Sequence, residues 1–172
     1  TYAPVGSSLG PRLARHLARR LDPRLVDAAR VAALEARLGH RFRDPRLLER
    51  ALTHSSWANE HPPELHQEGL ALLGDAALGL VVAEHLLALD PAAPVGTLTE
   101  GRAALVSGEG LAQWAADLEL GSVLRLGRGE DQTGGRTRPS ILATTLEALL
   151  GVVYLEGSLS AVRLVVGRLA MW

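Results

Sequence analysis

Cysteine and lysine are both missing from this chain of 172 residues. Without cysteine there is no disulfide and no thiolate metal site. All eighteen basic residues are arginine, whose planar guanidinium suits bidentate contacts with phosphate. The chain also has only one Phe, two Tyr and three Trp, so recognition of nucleic-acid bases by stacking is not expected.

Uninterrupted apolar runs of membrane-spanning length are also missing. The two most apolar stretches are broken by charged residues, Asp75 and Glu84 in the first and Glu147 in the second. Because a bilayer span needs about 20 apolar residues in a row, no membrane partner is expected. A chain of this length predicts one domain with a full hydrophobic core.

Charge is unevenly distributed along the chain, although the net charge is only −1. Residues 1–50 carry eleven arginines and five acids, a balance of +6. Residues 51–172 carry seven arginines and fourteen acids, a balance of −7. A basic segment on an acidic body can contact a polyanion, although a solvated arginine face would have the same composition.

Residues 12–21 are the most basic segment. Leu13, Leu17 and Leu21 lie on one face of a helix with this register. The arginines of the segment are Arg12, Arg15, Arg19 and Arg20. This pattern predicts either the end of an organelle-targeting peptide or an amphipathic docking helix.

The stretch from Gln67 to Val82 is the element around which the chain is organised. Its apolar residues recur at helical spacing, as shown by Leu70, Leu73, Ala77 and Val81. The pattern predicts a helix over about residues 66–89 that is apolar on nearly all sides and therefore central to the domain. Glu68 and Asp75 lie two turns apart on one face of this helix. Half-buried carboxylates must be paired, protonated or bound to a metal.

A second apolar helix is predicted over residues 140–155, and it carries a single acid, Glu147, with Thr144 on the same face. Two core helices that each present an isolated carboxylate suggest a cluster between helices of the kind that holds Mg²⁺. The alternative is that both acids lie at helix ends near solvent. Either helix taken alone favours that alternative.

The remaining segments also predict helices, so the chain is interpreted as an all-α domain without strands. The predicted helices are residues 22–38, 45–52, 97–106, 110–118 and 159–171. The helix at 97–106 is expected to start from a capping box formed by Thr97 and Glu100. Residues 121–139 are rich in glycine and arginine and predict an ordered loop.

Several of these segments resemble the ribonuclease III family. Leu48 to Ser56 resembles the motif before that family's signature helix, and Gln67 to Asp75 resembles the signature, usually Asn-Glu-Arg-Leu-Glu-Phe-Leu-Gly-Asp. Further blocks follow in the right order: Leu118 to Gly121, Leu124 to Gly127 and Ser140 to Glu147. The resemblance covers about residues 34–170. It implies an all-α endonuclease-domain fold that dimerises, with double-stranded RNA lying across both active sites.

The resemblance also implies a set of site residues. Asp75 and Glu147 fall on metal-ligand positions, and Glu68 matches the first acid of the signature, which assists the catalytic site without being its core ligand. Three positions that are acidic in the family pattern carry other residues here: Ala71, Val95 and Thr144. Because Mg²⁺ depends on carboxylate charge, the expected magnesium site is weak or absent.

The expected function follows from that incomplete site. The domain is expected to engage double-stranded or structured RNA while being catalytically weak or silent. It would then serve as an RNA-binding part of a ribonucleoprotein such as a ribosome, or as the homodimeric or heterodimeric partner of a homologous domain. The alternative is an active Mg²⁺-dependent double-stranded-RNA endoribonuclease in RNA processing.

The organisation of the chain is predicted as a basic extension, residues 1–33, followed by a ribonuclease III-like domain, residues 34–172. No separate double-stranded-RNA-binding domain is expected. RNA contacts are then assigned to the basic segment, at Arg12, Arg15, Arg19 and Arg20. The expected compartment is the bacterial cytoplasm, or an organelle matrix if a targeting peptide has been removed.

Overall fold

Eight α-helices make up residues 27–172, the part of the chain that the computed structural model describes. In chain order they are α1 (Ala28–Leu38), α2 (Pro45–Ala51), α3 (Ser55–Glu60), α4 (Glu68–Leu89), α5 (Val95–Leu105), α6 (Gly108–Asp117), α7 (Arg128–Gln132) and α8 (Pro139–Ala170). Within this range there is no strand, only an isolated parallel bridge between Thr53 and Arg125. The all-α prediction is confirmed. The basic segment, residues 12–21, lies outside the described residues.

Capping residues precede two of the helices. The first described helix begins at Ala28, where the Asp27 side chain accepts a hydrogen bond of 2.9 Å from the Ala29 amide; the predicted start at residue 22 lies outside the described residues. α5 begins at Val95 rather than at the predicted capping box. Pro94 occupies the N-cap with φ −56° and ψ 144°, so Thr97 already lies inside the helix.

The segment between α6 and α8 is more regular than predicted. α6 starts at Gly108 because the Ser107 hydroxyl accepts a hydrogen bond of 3.2 Å from the Gly110 amide. The predicted loop contains the short helix α7 and two 3₁₀ turns, Leu120–Ser122 and Gly135–Thr137. The last two predicted helices lie end to end in α8 and are divided at Ser158, whose φ of 60° and ψ of −171° are not helical.

Helices α4 and α8 form the centre of the fold and touch through their backbones. A Cβ atom built on Gly74 would lie 1.8 Å from the carbonyl oxygen of Glu147. One built on Gly151 would lie 2.2 Å from the carbonyl oxygen of Leu70. Only glycine permits such a close approach. The contact therefore fixes where the two helices cross.

Both central helices are long and apolar enough to cross a membrane, judged by length and composition alone. This criterion tolerates isolated charged residues such as Asp75 and Glu147, which interrupt the apolar runs in the sequence. In the domain, these apolar faces are used for packing. Leu78 and Val82 of α4 and Leu149 and Val152 of α8 are completely buried in a single core.

The substitution Gly74→Ala tests the backbone contact. We expect it to lower the free energy of unfolding by about 3 kcal/mol, at the upper end for overpacking, because the methyl meets backbone that cannot rotate away. Gly96→Ala in α5 is the control, since an added methyl there has no neighbour within 4 Å, and it should be neutral or stabilise by up to about 1 kcal/mol. Urea denaturation measures both variants. Equal effects would contradict the contact.

Candidate active site

The crossing of α4 and α8 brings Asp75 and Glu147 together. Asp75 directly follows Gly74, and Gly74 lies against the carbonyl of Glu147. The Asp75 side chain is exposed, whereas that of Glu147 is half-buried. The two residues that the resemblance assigns to metal-ligand positions therefore share one site, in the middle of both helices rather than at their ends.

The electrostatics of Glu147 reflect this proximity. Burial raises the pKa of Glu147, and the neighbouring negative charge of Asp75 raises it further, to about 7. Both causes disfavour the charged carboxylate. A cation bound between the two groups would remove their mutual repulsion, so the arrangement suits a positively charged ligand.

The three departures from the acidic pattern lie in different surroundings. Ala71 is buried at 5% exposure, Val95 is 80% exposed at the first residue of α5, and Thr144 is half-buried one turn before Glu147. Among residues 27–172, no group of three or more histidines and acids is arranged to hold a metal. The donor set at the crossing is therefore two carboxylates, with the Thr144 hydroxyl on the same helix.

Two carboxylates fit a magnesium ion that acts on a phosphate group. Mg²⁺ keeps several of its waters and is commonly held by one or two carboxylates together with substrate phosphate oxygens. Burial and then the nearby charge of Asp75 raise the pKa of Glu147, and a cation would offset the second of these causes. The residues present therefore fit the ion.

Glu68 belongs to a different part of the molecule. It is the first residue of α4, about 10.5 Å of helix rise from Asp75, and its exposed carboxylate lies 3.8 Å from Nδ1 of His66. Its charge also acts on His54, as does that of Glu130. Glu68 therefore lies along α4 from Asp75, at a distance that suits an assisting role rather than that of a core ligand.

His54 is the N-cap residue of α3, and with His66, Glu68 and Glu130 it forms a second cluster of titratable groups. The Ser56 amide donates to His54 Nδ1 at 3.2 Å, and the Ser56 hydroxyl in turn accepts from the Gly127 amide at 2.9 Å. Burial lowers the pKa of His54, which keeps the ring neutral and able to accept. These bonds join α3 to the start of α7.

Arg125 supports the site in a way that sequence reasoning missed. Its buried guanidinium donates to Thr53 Oγ1 at 3.0 Å and pairs with Glu49 at 3.0 Å and Glu64 at 2.8 Å. The carbonyl of Thr53 accepts from the Gln67 amide at 2.9 Å, directly before α4. An arginine between two leucines in an apolar segment was the available signal for this role.

Known proteins are similar in sequence to most of this chain. Residues 44–171 match the sequence model of a family described as Ribonuclease-III-like. Ribonuclease 3 of Geobacter sulfurreducens is 48% identical over 137 residues, which cover 78% of this chain and 55% of that protein. Ribonuclease 3 of Streptomyces coelicolor is 50% identical over 136 residues, which cover 79% of this chain and 49% of that protein. The chain thus spans about half the length of the curated relatives it matches.

A solved structure matches the fold. The nuclease domain of ribonuclease III from Campylobacter jejuni superposes with a TM-score of 0.75 at 37% identity, covering 80% of this chain and 93% of that domain. That structure is described as showing flexibility in a region involved in dimer formation. The predicted endonuclease-domain fold is therefore confirmed.

The comparisons contradict the expectation of a weak or silent domain. Relatives that are about half identical to this chain are ribonucleases, and none of these matches supports a pseudoenzyme. The expectation failed because it counted only protein carboxylates at Ala71, Val95 and Thr144. Waters and substrate phosphates also complete the coordination of Mg²⁺.

The substitution Asp75→Asn tests the electrostatic coupling. Removing the charge should lower the pKa of Glu147 from about 7, yet leave it above that of an ordinary glutamate because burial is the larger cause. Carbon-detected NMR of the Glu147 carboxyl group measures the titration. Asp90→Asn, beyond the far end of α4, is the control and should change nothing. An unaltered pKa of Glu147 in Asp75→Asn would show that the two groups do not interact.

Proposed function

Because the chain belongs to the ribonuclease III family, we propose that it is an endoribonuclease domain that hydrolyses phosphodiester bonds of double-stranded RNA in RNA processing. The observation that carries the proposal is the pairing of Asp75 with Glu147 across the α4–α8 crossing. Two carboxylates held close enough to repel each other are costly unless they serve a cation. That pair lies at the two metal-ligand positions of the family pattern.

Each residue has a separate role in this proposal. Asp75 and Glu147 would hold Mg²⁺, which when bound supplies Lewis acidity to the phosphodiester. Glu147, with its pKa near neutrality, can exchange its proton for the cation at physiological pH. Glu68 would assist from the second cluster, where its exposed carboxylate faces His66.

The RNA would be held mainly through its phosphates. Double-stranded RNA is recognised by shape, phosphates and 2′-hydroxyl groups, and arginine suits phosphate contacts. We assign such contacts to the basic segment, with Arg12, Arg15, Arg19 and Arg20 as its members. In the described part, Arg41, Arg43 and Arg46 also present exposed side chains beside α2.

The active form is proposed to be a dimer built on α4, either with a second copy or with a homologous domain. An apolar stripe of exposed residues follows one face of this helix: Leu72, Ala76, Leu80, Ala83 and Leu87. Leu72 is 75% exposed, and a large apolar side chain so placed is typical of an interface. The matched relatives are bacterial, and the bacterial cytoplasm is the proposed compartment.

A cleavage assay tests the proposed activity. The unmodified chain should cut long double-stranded RNA in the presence of Mg²⁺ or Mn²⁺. Asp75→Asn and Glu147→Gln should each reduce the rate by at least about a hundredfold, because each removes half of the carboxylate charge that holds the ion. Glu109→Gln, an exposed acid at the start of α6, is the control and should retain full activity. Intact RNA after incubation of the unmodified chain with either ion would refute the proposal.

Sedimentation tests the dimer. At about 50 µM the unmodified chain should sediment as a dimer, and Leu72→Glu should convert it to a folded monomer, because the charge would be buried at the interface. Leu155→Glu, which alters an exposed leucine of α8, should leave the dimer intact. A monomeric unmodified chain at that concentration would contradict the homodimer.

A further inference from the structure

A buried hydrogen bond joins α4 to α8 at a second point, away from the glycine contact. Gln67, which directly precedes α4, is 1% exposed, and Thr145 of α8 is completely buried. Thr145 Oγ1 lies 3.1 Å from Oε1 of Gln67 and 2.7 Å from the carbonyl oxygen of Ile141. The hydroxyl has one hydrogen for these two oxygens: it donates to Gln67 when Oε1 faces it, and it donates to Ile141 and accepts from Gln67 when the amide is turned so that Nε2 faces it.

The Gln67 side chain depends on this bond. The Nε2 atom of Gln67 is buried and has no hydrogen-bond partner among residues 27–172. Within that range, the Gln67 side chain as a whole therefore has Thr145 as its one hydrogen-bond partner. Removing the Thr145 hydroxyl would leave the whole amide buried and unsatisfied, which costs more than a typical hydrogen bond contributes. The pair is therefore a strong restraint between the two helices.

The backbone of Gln67 is held equally firmly. Its amide donates to the carbonyl of Thr53 at 2.9 Å, and its own carbonyl accepts from the amides of Leu70 and Ala71, each at 2.9 Å. Thr53 is itself held by Arg125. Gln67 is thus a fixed point at the start of α4, and Thr145 is tied to it.

The Gln67–Thr145 bond adds a second contact between α4 and α8 to the backbone contact at Gly74. The contact at Gly74 fixes where the helices cross, and a second contact away from that point opposes rotation of one helix about it. Gln67 lies two turns before Gly74, about 10.5 Å along the helix. Thr145 lies two residues before Glu147. A bond at that distance from the crossing opposes rotation of α8 that would carry Glu147 away from Asp75.

We propose that Gln67 and Thr145 are positioning residues that set the register of Asp75 against Glu147. The proposal rests on the proposed function, since the register matters because both carboxylates hold one divalent cation. The family signature usually carries Asn at position 67, which is shorter by one methylene. In this chain the longer glutamine side chain reaches Thr145.

Binding of Mn²⁺ to the full chain, measured by electron paramagnetic resonance without RNA, tests the proposal. Thr145→Val keeps the shape but removes the hydroxyl, and it should weaken Mn²⁺ affinity about tenfold, the low end of the range for residues that orient metal ligands. Gln67→Asn, which shortens the reach, should weaken it similarly. Thr145→Ser restores the hydroxyl and should retain the affinity of the unmodified chain.

Two control variants separate positioning from general destabilisation. Thr99 of α5 is exposed and bonds the carbonyl four residues before it, as Thr145 does, so Thr99→Val should leave the affinity unchanged. Val162 is fully buried in α8 beyond Ser158, so Val162→Ala should lower stability without altering Mn²⁺ affinity.

The outcomes are distinguishable from failure of the proposed function. Unchanged Mn²⁺ affinity in both Thr145→Val and Gln67→Asn would overturn the positioning role while leaving the nuclease proposal intact. Equal weakening in Val162→Ala would also overturn it, because any loss of stability would then have the same effect. If the unmodified chain bound no Mn²⁺, the proposed function would fail first and the positioning role with it.

Discussion

The backbone contact between α4 and α8 is the constraint on which the rest of the structure depends. Gly74 and Gly151 leave room for each helix to lie against the carbonyls of the other. At that distance the flanking apolar residues close into one core. The same distance places Asp75 beside Glu147. Core packing at the crossing and the candidate site therefore have a common cause.

The site is built at some cost to stability. Two carboxylates of like charge are held together, one of them half-buried, and the pKa of Glu147 rises to about 7 as a result. In the absence of a cation, stability attributable to this group is greatest when Glu147 is protonated, and it declines as pH rises from the ordinary glutamate pKa through about 7. The surrounding apolar core offsets the repulsion. Unfavourable electrostatic interactions of this kind are common at sites that bind a ligand, where function costs stability.

Part of this account could be predicted from the sequence. Apolar periodicity predicts α4, and the resemblance singles out Asp75 and Glu147. Their meeting, however, depends on a contact between Gly74 and Gly151, residues 77 positions apart, which no local pattern reveals. The capping-box pattern predicted that α5 starts at Thr97, whereas the helix starts at Val95 with Pro94 at its N-cap. Ligand counting predicted a silent site because it omitted ligands that the substrate and water provide.

Asp75 and Glu147 are proposed to form one divalent-cation site at the helix crossing, and crystals soaked in Mn²⁺ and measured at a wavelength where manganese scatters anomalously would reveal it. We expect an anomalous difference peak within about 2.5 Å of carboxylate oxygens from both residues, as expected for direct coordination, and loss of the peak in Glu147→Gln. A well-occupied manganese ion elsewhere, with no peak between the two carboxylates, would contradict this proposal.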